Sequence, residues 1–300
     1  MKALLIVNPV SGRKKGKERA LIVRRLLQRR GVSCEVLFTR GARDAETFAK
    51  NRAAHFDTLI CLGGDGTLNE TVNGLMSAAH KPLLCYLPVG TTNDFSKTIG
   101  MSGDAQAAAD TVLGGSVEEI DLGRMDGRYF IYTVSFGIMT QSANNTPRRM
   151  KNILGRPAYI LTGLLELPGT RAYHMRLRDD RGIIHEGDYV FGCVSNATVV
   201  GGLLRLREED VSLNDGRHEV TLIRKPRSPS ALLKALNAIR RRELPAEGVE
   251  FFHTSSLCCE FDKPMDFSID GERFCASGSV TIETEPHAVR LLLPKKRGTR

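Results

Sequence analysis

Residues 59–70, LICLGGDGTLNE, decide how the chain begins to fold. They continue an apolar run from residue 57, which is typical of a strand buried on both faces of a parallel sheet. Glycines follow at 63, 64 and 66, and a helix is predicted at residues 68–79. A strand that ends in glycines and leads into a helix indicates an α/β unit, and ligands bind open α/β sheets at this end of the strands.

The glycines and their polar neighbours suit a phosphate site. Gly63, Gly64 and Gly66 lack a Cβ, so a phosphate chain can approach backbone amides and a helix N-terminus. Asp65 and Thr67 add polar groups. The alternative is an ordinary turn that needs glycine only for positive φ angles. The consecutive pattern in this context favours the phosphate site.

The motif differs from two common nucleotide-binding patterns. No GKS or GKT occurs in the chain, which excludes a Walker loop. Leu68 and Asn69 stand where a GxGxxG motif would end.

Two further polar turns follow predicted strands, NPVSG at residues 8–12 and GTTND at residues 90–94. Each alone is explained equally well as a turn or, for Asn93 or Asp94, as a helix N-cap. Three polar turns at the carboxyl ends of three strands in one sheet predict a cleft.

The first part of the chain alternates strands and helices. Strands are predicted at residues 2–8, 32–39, 57–62 and 83–88, and helices at 16–30, 44–55, 68–79, 94–99 and 105–113. This order predicts an α/β domain with a doubly wound, Rossmann-like parallel sheet.

From about residue 117 the pattern becomes rich in strands. Strands are predicted at 171–177, 183–194, 219–223, 249–261, 267–269, 279–283 and 289–293, with a hairpin turn at 125–128 and helices only at 157–167 and 230–241. We expect two domains, residues 1–125 and a β-rich sandwich of residues 126–300. The last strand is a candidate to return to the first domain.

Composition excludes several classes of protein. Hydrophobic residues are 41% and charged residues 26% of the 300, a balance typical of soluble globular proteins. No apolar run approaches the ~18 residues of a transmembrane helix. The seven cysteines form no CxxC pair and the histidines form no HExxH motif, so we predict neither a disulfide framework nor a zinc site. Free cysteines are typical of a reducing compartment, and we therefore predict a cytoplasmic location.

The net charge of +9 favours phosphate-bearing partners. Aromatic residues are only 6% of the chain and tryptophan is absent, which disfavours nucleic acid. The basic residues form four clusters, at residues 13–30, 148–151, 240–242 and 295–300. Each cluster alone is explained more readily as a solvated face, or as a frayed tail in the last case, than as a binding surface.

Taken together, the motifs resemble the bacterial diacylglycerol kinase/YegS-type lipid kinase family, whose catalytic domain is shared with sphingosine and ceramide kinases. The matching motifs occur in family order over nearly the whole chain: NPVSG (8–12), GGDGTLNE (63–70), GTTNDF (90–95), SNATVVGG (195–202), LNDG (213–216) and DGE (270–272). NAD kinases share GGDGT, whereas GTTND and DGE make the resemblance specific.

The resemblance implies transfer of the γ-phosphate of ATP to a lipid hydroxyl with Mg²⁺, with diacylglycerol and phosphatidic acid as substrate and product. ATP would lie in the interdomain cleft. Asp270 or Glu272 of the DGE motif would be the catalytic base, although Asp270 and Gly271 alone would indicate only a hairpin turn. The implied nucleotide-binding residues are Asn8, Pro9, Val10, Ser11, Gly12, Thr39, Gly63, Gly64, Asp65, Gly66, Thr67, Leu68, Asn69 and Thr91.

The family also has a structural magnesium site in its second domain. The resemblance assigns Asp215 and a backbone carbonyl near Arg217 as ligands here. Asn214 and Glu219 stand where the family usually has aspartate.

A lipid substrate implies peripheral contact with a membrane surface, which the basic clusters would favour. The oligomeric state stays open, with a homodimer as one candidate. Three other functions remain: an NAD kinase-like enzyme with a soluble substrate, a nucleotide-binding regulator without activity, and a nucleic-acid-binding protein.

Overall fold

The computed structural model describes residues 1–90, 92–137, 172–201 and 204–295. Contacts within the chain divide it into two compact units. The first contains Met1–Leu122 and Pro286–Arg300, and the second contains Gly123–Glu285. Both ends of the sequence therefore contribute to the first unit.

The first unit alternates strands and helices. Its strands are β1 (Lys2–Val7), β2 (Ser33–Phe38), β3 (Thr58–Gly63), β4 (Leu83–Pro88) and most of β5 (Ser116–Met125). Its helices are α1 (Ser11–Lys14), α2 (Gly16–Arg29), α3 (Asp44–Arg52), α4 (Asp65–Met76), α5 (Asp94–Thr98) and α6 (Ala105–Gly114), with a 3₁₀ turn at Ala53–His55.

The first four strands form a parallel sheet in the order β2–β1–β3–β4. All six residues of β3 are buried, as expected for a strand covered on both faces. Helix α2 buries Ala20, Val23 and Leu27, which recur every three to four residues and therefore share one face. The mixed α/β architecture expected for this part of the chain is confirmed.

Helix α4 begins three residues earlier than predicted, at Asp65 instead of Leu68. The turn after β3 consists of Gly64 alone, which has an extended backbone and is the N-cap of α4. Asp65, Gly66 and Thr67 therefore form the first turn of a helix.

The second unit is built mainly from antiparallel strands. They are β6 (Arg128–Phe130), β7 (Thr133–Gly137), β8 (Tyr173–Asp179), β9 (Ile184–Ser195), β10 (Val199–Val200), β11 (Leu204–Arg205), β12 (His218–Arg224), β13 (Val249–Thr254), β14 (Ser256–Ile269) and most of β15 (Glu272–Leu293). Helix α7 (Pro229–Arg241) and a 3₁₀ turn at Glu208–Asp210 complete the described part. The helix predicted at residues 157–167 and the basic cluster at 148–151 lie outside the described residues.

Strand β9 pairs with β8 through its first half and with β7 and β12 through its second half. Strand β13 pairs with β12, and β14 pairs with β7, β8 and β15. Phe136 and Phe267 meet edge to face in the apolar core, with ring centroids 6.0 Å apart. The hairpin predicted at residues 125–128 is present between β5 and β6.

Strand β15 runs for 22 residues, where the sequence predicted two short strands. Its last residues belong to the first unit, where Leu291 aligns with Leu84 of β4 in parallel register. The predicted break at residues 284–288 is a local irregularity, because His287 adopts a φ of 51° without ending the strand.

Candidate active site

The polar turns of the first unit meet at one edge of the parallel sheet. The register aligns Val7 with Phe38 on one side and with Leu62 on the other, and aligns Gly63 with Pro88. The loops that follow these strand ends therefore emerge side by side. This is the carboxyl edge, where open α/β sheets bind ligands.

The first of these loops is joined to the second by a side-chain hydrogen bond. Asn8 Nδ2 donates to Thr67 Oγ1 at 3.2 Å. At the other end of the loop, Gly12 has a φ of 59°, and a Cβ there would lie 2.5 Å from the carbonyl oxygen of Val89. Only glycine fits this position. Between these two ends lie Pro9, Val10 and Ser11.

The second loop presents the N-terminus of helix α4. Its first backbone hydrogen bond runs from the Leu68 N–H to the Gly64 carbonyl at 3.0 Å. The N–H groups of Asp65, Gly66 and Thr67 precede this bond and therefore have no acceptor within the helix. Three free N–H groups at the start of a 12-residue helix are suited to a phosphate group.

The glycines of this loop permit close packing. A Cβ on Gly90 would lie 2.6 Å from both Gly64 Cα and Asn93 Oδ1, and a Cβ on Gly63 would lie 2.5 Å from Thr67 Cβ. Neither Gly63 nor Gly64 has a positive φ. The alternative interpretation, that these glycines serve only positive φ angles, is therefore wrong.

Asp65 lies in a polar network with the third loop. Its Oδ2 accepts the backbone N–H of Asp94 at 3.2 Å, and its Oδ1 lies 3.4 Å from the hydroxyl of Tyr86. Asp94 is buried and pairs with Lys97 at 2.7 Å. Burial raises the pKa of Asp65, the N–H of Asp94 opposes this, and the negative charge of Asp94 adds to it.

Asp94, Lys97 and Tyr86 were not among the predicted site residues. The sequence allowed Asn93 or Asp94 to be an ordinary helix cap. Asn93 does occupy the N-cap of α5, with a φ of 47°, but its side chain makes no capping bond. Its Nδ2 instead donates to the Gly90 carbonyl at 3.0 Å and closes the loop. The adjacent Asn-Asp pair was the available signal.

The remaining predicted nucleotide-binding residues differ in exposure. Thr39 directly follows β2, is partly exposed, and donates its N–H to the Val7 carbonyl at 2.9 Å. The side chains of Leu68 and Asn69 are buried. Thr91 lies outside the described residues.

In the second unit, Asp270 occupies the hairpin turn between β14 and β15. Its φ is 46° and that of Gly271 is 92°, so the two residues do form the turn that the alternative interpretation proposed. The Asp270 carboxylate also accepts three backbone N–H groups, from Ile131 at 2.7 Å, Tyr132 at 3.1 Å and Thr133 at 2.9 Å. Only 2% of Asp270 is exposed. Its carboxylate therefore fixes the segment before β7 to the hairpin.

Glu272 lies two residues later and is far more accessible. Its side chain is 42% exposed and forms an ion pair with Arg128 at 2.9 Å. Of the two acidic side chains in the DGE motif, that of Glu272 is accessible and that of Asp270 is buried.

The predicted magnesium loop is a turn before β12. Asp215 accepts the N–H of Arg217 at 3.0 Å, and both residues are near the surface. Glu219 is fully buried, and its carboxylate oxygens make no hydrogen bond of normal geometry among the described residues. Burial raises the pKa of Glu219 to about 9, and the charges of Asp215 and Asp210 add to this effect. The backbone N–H groups of Ser212 and Glu219 nevertheless lie close enough to lower its pKa in part.

Carboxylate and carbonyl oxygens are the ligands that Mg²⁺ prefers. No group of three or more His, Cys, Asp or Glu side chains arranged to hold a metal ion occurs in the described part of the chain. The loop therefore offers oxygen ligands without a closed cage of side chains.

A family model described as "Diacylglycerol kinase catalytic domain" matches residues 2–125. The diacylglycerol kinase of Bacillus subtilis is 33% identical over 90% of this chain and 89% of its own length. That of Staphylococcus saprophyticus is 29% identical over 90% and 88%.

Two solved structures have a similar fold. A diacylglycerol kinase from Bacillus anthracis has a TM-score of 0.75 and 21% identity, covering 98% of this chain and 97% of that one. An NAD kinase from Archaeoglobus fulgidus in complex with ATP has a TM-score of 0.54 and 14% identity, covering 99% and 95%. The extent and identity of the Bacillus subtilis match establish that the chain belongs to the diacylglycerol kinase family.

Proposed function

We propose that the protein is an ATP- and Mg²⁺-dependent lipid kinase that phosphorylates diacylglycerol to phosphatidic acid. The observation that supports this most strongly is the meeting of three polar loops at one sheet edge, beside a helix N-terminus with three free N–H groups. The names of the Bacillus and Staphylococcus relatives support diacylglycerol as acceptor.

The backbone of the loops would bind the nucleotide phosphates. The free N–H groups at the start of α4 and the loop at residues 8–12 supply donors without a Walker lysine. Thr39 and Thr91 are proposed as further nucleotide contacts. Phosphoryl transfer requires little covalent work from the protein, so positioning and charge neutralisation are its main contributions.

Asp65 and Asp94 would hold the Mg²⁺ that accompanies ATP. Their backbone and side-chain contacts fix both carboxylates near the α4 N-terminus, and Lys97 limits the negative charge there. The ion would neutralise charge on the transferred phosphate.

Glu272 is our proposed proton acceptor for the lipid hydroxyl, with Asp270 as a positioning residue. Asp270 uses both carboxylate oxygens to accept backbone N–H groups, whereas Glu272 is half exposed on the same hairpin. A base must come within hydrogen-bonding reach of the proton that it accepts, and exposure allows this only for Glu272.

A structural Mg²⁺ is proposed at Asp215 and a backbone carbonyl near Arg217. The buried carboxyl group of Glu219 adds oxygen atoms close to Asp215 of this loop. We also propose a cytoplasmic location with peripheral membrane contact, because the acceptor is a lipid. None of the described helices is long and apolar enough to cross a membrane.

The second candidate is an NAD kinase-like enzyme, which is favoured by one observation, the fold shared with the Archaeoglobus fulgidus enzyme. The test is label transfer from [γ-³²P]ATP to diacylglycerol, ceramide, sphingosine or phosphatidylglycerol in mixed micelles, with NAD in a parallel reaction. Label in diacylglycerol is expected. Label only in NAD would support the second candidate, and label in another lipid would correct the acceptor.

A further inference from the structure

The second unit contains a segment of unbalanced positive charge. Residues 224–242 include seven lysines and arginines and no aspartate or glutamate. Two of the seven are in ion pairs, Arg224 with Glu250 at 2.7 Å and Lys234 with Glu247 at 2.8 Å. The other five are exposed, and their side chains have no ion pair or hydrogen bond within the described ranges: Lys225, Arg227, Arg240, Arg241 and Arg242.

Helix α7 combines part of this charge with an exposed apolar residue. Ala235 and Leu236 are buried on its inner face. The outer face is defined by Leu233, Asn237, Arg240 and Arg241, which follow the i, i+4, i+7, i+8 spacing of one helix side. Leu233 is 58% exposed, so this face carries an apolar side chain about two helical turns from the exposed cations Arg240 and Arg241.

We propose that this outer face of α7 docks on the surface of an anionic lipid bilayer. Each lysine or arginine close to such a surface is attracted by about 1 kcal/mol, and an exposed leucine can enter the boundary between headgroups and acyl chains. The inference rests on the proposed function in one respect: an enzyme with a lipid acceptor has to bind the bilayer that contains this lipid.

Charge and side-chain chemistry favour lipid over nucleic acid at this face. Residues 224–242 contain no phenylalanine, tyrosine, tryptophan or histidine on which a base could stack. Leu233 would stay exposed to water in a complex with nucleic acid in which only the backbone phosphates contact this face.

The test measures binding of the full chain to vesicles that contain neither diacylglycerol nor ATP. Phosphatidylcholine vesicles with one third phosphatidylglycerol should bind the protein, and pure phosphatidylcholine vesicles should not. The double variant Arg240→Gln/Arg241→Gln should lower the partition coefficient by as much as about thirtyfold, from ~1 kcal/mol for each charge. Leu233→Ser should lower it by about fivefold.

The control is Lys50→Gln/Lys263→Gln, which removes the same charge from exposed positions of α3 and β14, outside the four basic clusters. Unchanged thermal unfolding must accompany every variant. An equal loss of binding in both double variants would show that net charge is responsible and would overturn the proposal. Unchanged binding of the α7 variants, or a preference of this face for RNA over vesicles, would also overturn it.

The vesicle assay and the kinase assay test the docking surface and the proposed function independently. A protein that phosphorylates diacylglycerol in micelles but binds no anionic vesicle refutes the docking surface alone. A protein that binds these vesicles through α7 but labels no lipid refutes the kinase proposal and supports the docking surface.

Discussion

Asp270 and Glu272 lie two residues apart and are held in different ways. The partners of Asp270 are backbone groups 137 to 139 residues earlier in the sequence, so no local pattern could have predicted them. The sequence did identify the pair as acidic residues in a recognisable motif. Which of them is free to react depends on burial, and burial is decided by the folded sheet.

Asp270→Asn is expected to lower the free energy of unfolding by about 3 kcal/mol, because an amide would face backbone N–H donors with its own N–H₂ group. Urea denaturation measures this. The control Asp266→Asn, in an exposed ion pair with Arg273 on the same hairpin, should cost less than about 1 kcal/mol.

Glu272→Gln should leave the unfolding transition nearly unchanged and reduce kcat by about a hundredfold or more. Arg128→Gln removes the same ion pair and should retain most of the turnover. A stable Asp270→Asn protein without activity, together with an active Glu272→Gln protein, would assign the base to Asp270 instead.

Gly90→Ala should destabilise the protein by about 1–3 kcal/mol and raise the KM for ATP, since the new Cβ would meet Gly64 and Asn93 at 2.6 Å. Gly114→Ala is the control, because nothing lies within 4 Å of a Cβ there. Equal stability of the two variants would show that the loops do not need this close approach.

At the scale of elements, the strands and helices of the first unit followed from the sequence because each is a local pattern. Apolar runs predicted β1, β3 and β4 within one residue at each end. The start of α4 was wrong by three residues, because Gly64 alone makes the turn. Asp94 lies beside Asp65 because strands β3 and β4 are paired in the sheet, and local sequence patterns do not predict which strands pair.

Strand β15 also depends on a contact that local sequence patterns could not predict, between residues still farther apart in the sequence. Its residues 284–288 include a proline and polar side chains and therefore read as a break. In the structure the Asp121 carboxylate accepts the N–H of His287 at 2.8 Å, and this hydrogen bond supports the backbone of β15 in this region. Such support comes from β5, more than 160 residues away in sequence.

Leu291→Ala is expected to destabilise the first unit by about 2–5 kcal/mol, because Leu291 is fully buried where β15 pairs with β4. Denaturant unfolding followed by circular dichroism measures the change. The neighbouring Arg290→Ala removes only an exposed hydrogen bond to the Lys81 carbonyl and should cost less than about 1 kcal/mol. Equal effects would contradict the assignment of this strand to the core.

At the scale of the whole molecule, the accessibility of the cysteines shows how well the interior of each unit is shielded from solvent. Burial raises the pKa of Cys61, Cys85 and Cys193 to about 12 and that of Cys34 to about 11, so these thiols are protected and weakly nucleophilic. Cys259 is also buried, Cys258 is partly exposed and Cys275 is exposed.

A thiol reagent should therefore modify Cys275 rapidly, Cys258 more slowly, and the other five cysteines only after denaturation. Cys275→Ser should remove the rapid phase. Seven reactive thiols in the unfolded protein are expected, because all seven are free. Rapid modification of more than two thiols in the native protein would contradict the described packing.

Diacylglycerol kinase activity is tested by a competition between two acceptors for the same labelled phosphate. The protein receives [γ-³²P]ATP, Mg²⁺, diacylglycerol in micelles and an excess of NAD, and the products are separated into lipid and water-soluble fractions. We expect labelled phosphatidic acid, unlabelled NAD, and loss of the lipid label with Glu272→Gln. Label in NAD with none in the lipid fraction would contradict this expectation.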